Sequence, residues 1–84
     1  MDLPARCVAR GMPVSFHRHA LDEIDKEGFA EEDVADVLED PTKDDKGTAY
    51  GRKRGKTLIV RYRTREGYIF VHGFSATTRR LDLL

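Results

Sequence analysis

From residue 14 onward the apolar positions first recur three and four apart and later alternate, so the chain reads as helices followed by strands. In SFHRHALDEIDKEG, Ala20, Leu21 and Ile24 fall on one face and predict a helix near residues 17–27. Ser15 or His17 flanks its start, and Gly28 suits a left-handed residue that ends it. His17 shares the apolar face if the helix includes it, and reads as a packed residue, whereas His19 lies towards the polar side. In FAEEDVADVLEDP, Val34, Val37 and Leu38 make a second stripe near residues 31–39. Glu31, Glu32 and Asp33 stand where the helix dipole favours negative charge, and Pro41 stops the helix. After the polar loop TKDDKG the period falls to two, and TAYGRKR, KTLIVRYR and YIFVHGFSA read as three antiparallel strands. The tail ATTRRLDLL fits a further edge strand or a short helix. Residues 1–13 carry little pattern and read as a poorly ordered lead-in, with MPVSF as a short strand or an extended approach to the first helix. The expectation is a single α+β domain over residues 1–84, with two N-terminal helices packed on a three- to four-stranded antiparallel sheet.

Strand alternation sorts the side chains of the meander. Leu58, Val60 and Tyr62 share the obvious core face, while Ile59, Arg61 and Arg63 share the other. An even-length turn at Thr64–Gly67 pairs Val60 with Val71 and Tyr62 with Ile69, placing Ile69, Val71 and Gly73 on the core side. The opposite face then gathers Arg61, Arg63, Tyr68, Phe70, His72 and Phe74, and a two-residue turn at Arg54-Gly55 adds Tyr50 and Arg52. An odd-length turn would instead face the aromatic rings into the helices. The expectation is the even register.

Composition sharpens this picture. The formal net charge of the 84 residues is zero, yet residues 1–46 hold thirteen acids and six bases and residues 47–84 hold two acids and nine bases. Either the halves neutralise each other, or the basic half meets a polyanion. Cys7 is the only cysteine, which excludes an internal disulfide and any Cys-based metal site within one chain. No apolar run approaches the roughly 20 residues of a membrane span, nor is there the apolar stretch of a signal peptide, so the expectation is a cytoplasmic protein with no membrane partner.

Guanidinium groups interleaved with aromatic rings suit RNA, the charges taking phosphates and the rings stacking on unpaired bases. Metal-independent RNA cleavage needs a base for the 2′-OH proton, an acid for the leaving oxygen and cations for charge building on phosphorus. His72 beside Arg61 and Arg63 fits the base or the acid with its stabilisers, and His19 at the helix start is the second proton carrier to consider. Arg52, Arg63, Tyr68, Phe70 and Arg79 are the candidate RNA-binding residues. His17-x-His19 lacks a carboxylate at metal-ligand spacing, and neither a phosphate loop nor a nucleotide fingerprint is present, so no metal and no cofactor is expected. Two other classes compete with the enzyme: a non-catalytic module binding RNA or protein through the basic face, and an interaction protein working through its acidic helices.

Phe16, His19, Ala20 and Leu21 in an F-x-x-H-A-L string, then Gly28-Phe29, then Glu31, Asp33, Val34, Val37, Leu38 and Pro41 as E-x-D-V-x-x-V-L-x-x-P, lead into the basic meander. Over roughly residues 14–80 this pattern resembles the BrnT-type toxins and a related uncharacterised family with an H-A helix, both within the broad RelE/ParE-like toxin superfamily. The resemblance implies two helices on a three- or four-stranded antiparallel sheet. It also implies a ribonuclease-like toxin acting on RNA, free or at the ribosome, and a small antitoxin protein covering the basic face. His19 matches the histidine of the family's helix motif, and Phe74-Ser75-Ala76-Thr77-Thr78-Arg79-Arg80 resembles its closing strand. The acid and tyrosine expected after that strand are missing, and Ala20 stands where the family has a turn glycine; these departures bear on catalysis more than on fold.

Overall fold

The computed structural model describes residues 7–80. Its elements run β1 (Val8–Ala9), β2 (Met12–Phe16), α1 (Arg18–Lys26), α2 (Glu31–Glu39), β3 (Lys43–Asp44), β4 (Thr48–Lys53), β5 (Lys56–Arg65) and β6 (Tyr68–Thr77). The strands form one curled, half-barrel sheet in the order β1-β2-β6-β5-β4-β3. β2 runs parallel to β6, with Val14 opposite Ile69 and Phe16 opposite Val71, and every other pairing is antiparallel. The expected fold class, two N-terminal helices on a three- to four-stranded antiparallel sheet, is therefore overturned: the sheet is mixed, has six strands, and two of them precede the helices.

The physical reason lies at the free side of β6. A meander alone would leave this central, apolar strand with an unpaired row of backbone groups, and β2 covers them. The lead-in is accordingly part of the sheet. Cys7 and Ala9 are buried in the core, and Val14 points inward from β2. Residues 1–6 of the expected lead-in, and residues 81–84 of the tail, lie outside the described residues.

The helices form where the pattern places them. His17 caps α1, its ring Nδ1 accepting the backbone N–H of His19 at 3.0 Å. Gly28 closes it at φ +77°, and the Phe29 N–H returns to the Ile24 carbonyl. At the start of α2 the Asp33 carboxylate accepts the Ala30 N–H at 2.9 Å. Ala20 and Ile24 from α1 and Val34, Val37 and Leu38 from α2 meet Leu58, Val60, Ile69 and Val71 of the sheet. Gly51 lets α2 approach β4 closely, because a Cβ there would sit 2.9 Å from Val37. Among the described residues no helix is long and apolar enough to cross a membrane.

Arg10 ties the ends of the sheet together. It occupies the turn between β1 and β2 at φ +56°. Its Nε donates to the Leu38 carbonyl at 2.6 Å, one terminal nitrogen donates to the Tyr62 hydroxyl at 3.1 Å, and the other to Asp44 at 2.8 Å. The Tyr62 hydroxyl donates in turn to the Asp44 carboxylate at 2.8 Å. Burial, and then the hydrogen bond to Asp44, pushes the Tyr62 phenol up from its ordinary pKa.

The register differs from expectation in one consequential way. The β5–β6 turn is the two-residue Glu66-Gly67 rather than Thr64–Gly67, so Arg63 faces Phe70, and the expected pairs Val60–Val71 and Tyr62–Ile69 give way to Tyr62–Val71 and Thr64–Ile69. Parity matches the even-length turn, and Ile69 and Val71 are buried. Between Val71 and Gly73, however, β6 carries one residue more than β5, and Arg61 lies opposite Gly73. His72 is the extra residue of a β-bulge. Beyond it the faces exchange. Phe74, expected beside the arginines, is 3% exposed in the core, with its ring 6.0 Å from that of Phe29. Gly73, expected to face the helices, lies under the Arg61 side chain, where a Cβ would be 3.4 Å away.

This register makes Phe74→Ala a core truncation. It is expected to cost about 3–5 kcal/mol, read as a drop in the midpoint of chemical denaturation. An outward-facing Phe74 would give a change within roughly 0.5 kcal/mol.

Candidate nucleic-acid interface

Both helices cover one face of the sheet, and the other face is open. The basic stretch divides between the two. Lys53 reaches Asp36 at 2.6 Å, Arg54 reaches Asp33 at 3.2 Å and lies over the Phe29 ring, and Lys56 stands 3.8 Å from Glu27. These cations neutralise the acidic helices. Among the described residues Arg61, Arg63 and Arg65 form no ion pair, and all three are exposed. The expected neutralisation of one half by the other is thus met at the β4–β5 turn, while the arginines further along β5 stay outside it.

His72 stands on the open face as the extra residue of the bulge, close enough to Arg63 and Arg61 to feel their charge. It is half-buried, and its pKa is lowered from the ordinary 6.5, first by burial and then by the positive charges of Arg63 and Arg61 and by His17. At neutral pH the ring is therefore an uncharged proton acceptor held beside two guanidinium groups.

Against the packed position that the sequence pattern predicts, His17 is exposed on this side. Its backbone N–H donates to the Val71 carbonyl at 2.8 Å, which fixes it next to the bulge. Its ring meets Phe70 edge-on at 6.2 Å between centroids. The signal available in the sequence was its position at the helix start, where a side-chain acceptor is wanted. A capping role turns the ring out of the helix stripe on which periodicity had placed it.

The other candidates fall at different places. Phe70 is half-buried, with Arg63 opposite it on one side and Ser15 on the other. Tyr68, 38% exposed, pairs with Arg65 towards the hairpin end. His19 projects from α1 and puts Nε2 3.0 Å from the Glu23 carboxylate; it is not among the groups that act on His72. Arg52 lies on the open face, but its fork is engaged: it donates to the Thr57 hydroxyl at 2.9 Å, the Gly55 carbonyl at 3.1 Å and the Arg79 carbonyl at 3.5 Å. Thr57 also donates to the Arg79 carbonyl at 2.7 Å. Arg52 thus braces the chain after β6, and Arg79 is exposed at that end. Thr57, their anchor, is four residues from Arg61 along β5, about 13 Å away at the usual strand rise. The structure brings His72, Arg61, Arg63 and Phe70 together, adds His17, flanks them with Tyr68, and leaves His19, Arg52 and Arg79 apart.

The arrangement is a surface rather than a cleft. A hollow of about 530 Å³ lies elsewhere, between the helices, lined by Leu21, Ile24 and Phe29 and by acidic side chains. Among the described residues no group of three or more His, Cys, Asp or Glu could hold a metal ion. An open site with cations, rings and a neutral imidazole suits an extended polyanion laid across the strands better than an enclosed small molecule.

In a proton NMR titration the His72 ring is expected to reach its midpoint below 6.5, and Arg63→Ala is expected to move that midpoint upward. The sign for stability follows. The unfolded chain takes up this proton first, so the contribution of neutral His72 is complete above 6.5 and declines as pH falls from there towards the folded pKa. A midpoint at or above 6.5 would remove the electrostatic basis of the site.

No protein-family model, curated protein or solved structure matches this chain, so the resemblance to the toxin families rests on the residue pattern between Phe16 and Arg80.

Proposed function

We propose that the open sheet face binds single-stranded RNA and cleaves it by metal-independent transesterification. The observation that carries this reading is the meeting of a neutral imidazole, His72, with the unpaired guanidinium groups of Arg61 and Arg63 on one accessible surface. His72 takes the proton of a ribose 2′-OH. The 2′ oxygen bonds to the adjacent phosphorus, the bond from phosphorus to the 5′ oxygen breaks, and the proton is delivered to that leaving oxygen. The products are a 2′,3′-cyclic phosphate and a 5′-hydroxyl end, and no co-reactant is consumed. Arg61 and Arg63 balance the charge that builds on the non-bridging oxygens. Phe70 and Tyr68 offer ring surface to the unstacked bases on either side of the scissile bond. Acidic helices on the reverse face orient the basic face towards a polyanion during approach. The setting that suits both substrate and thiol is the cytoplasm, where a buried cysteine such as Cys7 stays reduced.

The test uses a fluorescent single-stranded RNA and the DNA of the same sequence. Both are expected to bind with a salt dependence that weakens in Arg61→Ala and Arg63→Ala, and only the RNA is cut, because DNA lacks the 2′-OH. His72→Ala is expected to slow cleavage by about 10²–10⁴-fold while leaving binding within a few-fold. Binding without cleavage by the parent protein would reduce the role to an RNA-binding module. Absence of salt-sensitive binding would overturn the RNA reading altogether.

A further inference from the structure

We propose that His17 is a second functional histidine of this face, donating its Nε2–H to a non-bridging oxygen of the phosphate that His72 and Arg63 approach. This rests on the RNA-cleaving reading and names a residue that neither the periodicity nor the family resemblance assigned.

Three observations converge. First, His17 is held in place from its backbone: its N–H bonds to the Val71 carbonyl, immediately before the bulged His72. Second, its ring is oriented. Nδ1 accepts the His19 N–H at 3.0 Å, which caps α1, and an acceptor at Nδ1 leaves the ring proton on Nε2. Third, the ring is exposed and stands edge-on to Phe70, the aromatic residue opposite Arg63, so a nucleotide resting on Phe70 brings its backbone within reach of the outward nitrogen. His17 is close enough to His72 for the two rings to interact electrostatically. An acceptor at Nδ1 also defines what His17 does. It keeps its proton and offers a fixed hydrogen bond to the developing oxyanion, while His72 moves the proton. A donor set in advance costs no reorganisation when charge appears on phosphorus.

Capping and donation can be separated by substitution. Asn at the start of a helix accepts the same backbone N–H but has no ring donor at that place. His17→Asn is therefore expected to unfold within a few degrees of the parent protein, to bind the RNA oligonucleotide with at most a few-fold loss, and to cut it roughly a hundredfold more slowly in kcat. His17→Ala removes the cap as well and is expected to lose thermal stability in addition. A further readout isolates the phosphate contact. Replacing one non-bridging oxygen of the scissile phosphate by sulfur, a weaker acceptor, should slow the parent protein for one diastereomer, and that penalty should vanish in His17→Asn. His17→Asn cutting RNA at the parent rate, or keeping the same sulfur penalty, overturns the role of His17 while His72→Ala still cuts slowly. A parent protein that fails to cut RNA overturns the cleavage reading and this inference together, so the two failures are told apart by which protein loses the activity.

Discussion

One extra residue in β6 sets the character of the whole sheet. A strand that crosses a layer with strict alternation commits every second side chain to the core, and β6 would then bury either Val71 or Phe74, not both. The bulge at His72 allows both: Ile69 and Val71 point inward before it, and Phe74 does so after it. The same local distortion places Gly73 against Arg61, making room for the arginine stem, and sets His72 on the open face within the field of the arginines. Core packing and surface chemistry therefore share one backbone feature. The burial of Phe74 against Phe29 supplies free energy that holds a half-buried imidazole between cations, an arrangement with an electrostatic cost of its own.

Charge is organised on the same hairpin by position rather than by amount. Lys53, Arg54 and Lys56 surround the β4–β5 turn, where the strands end beside α2 and the α1–α2 connection, and they meet Asp36, Asp33 and Glu27. Arg61, Arg63 and Arg65 project from the other end of β5, beyond the reach of those acids. A neutral chain thereby presents a cationic surface, because the acids lie behind the sheet and the intervening layer is apolar. Arg52 shows that presence on that surface does not amount to availability, since its donors are engaged with Thr57, Gly55 and Arg79.

What could be read in advance was local. The stripe Val34, Val37, Leu38 and the stop at Pro41 locate α2, Gly28 locates the end of α1, and Arg54-Gly55 fits a two-residue turn that joins β4 to β5. Alternation identifies Leu58, Val60 and Tyr62 as core, and the shared side of Arg61 and Arg63 follows from it. The non-local features were hidden. A five-residue strand containing Pro13 pairs in parallel with a segment more than fifty residues away, and nothing in MPVSF encodes that partner. The two-residue β1 and β3 carry too few positions to show a period. The bulge has no marker beyond Gly73, and a single glycine in a strand is compatible with several causes. His17 was concealed because a cap residue belongs to neither the helical nor the strand period, whereas His19 drew attention through the motif and is engaged with Glu23.

The clasp made by Arg10 spans a curled sheet. Arg10 and Asp44 come from opposite margins of the sheet, yet they meet over Tyr62 of a middle strand, on the side where Leu38 of α2 also lies. The margins curl towards the helices, and the exposed surface bulges outward like the back of a cupped hand. A convex platform gives a rigid rod only a narrow line of contact, while a limp chain can drape over it and follow its slope. It also has no walls, so whatever lies on it meets solvent along its whole length.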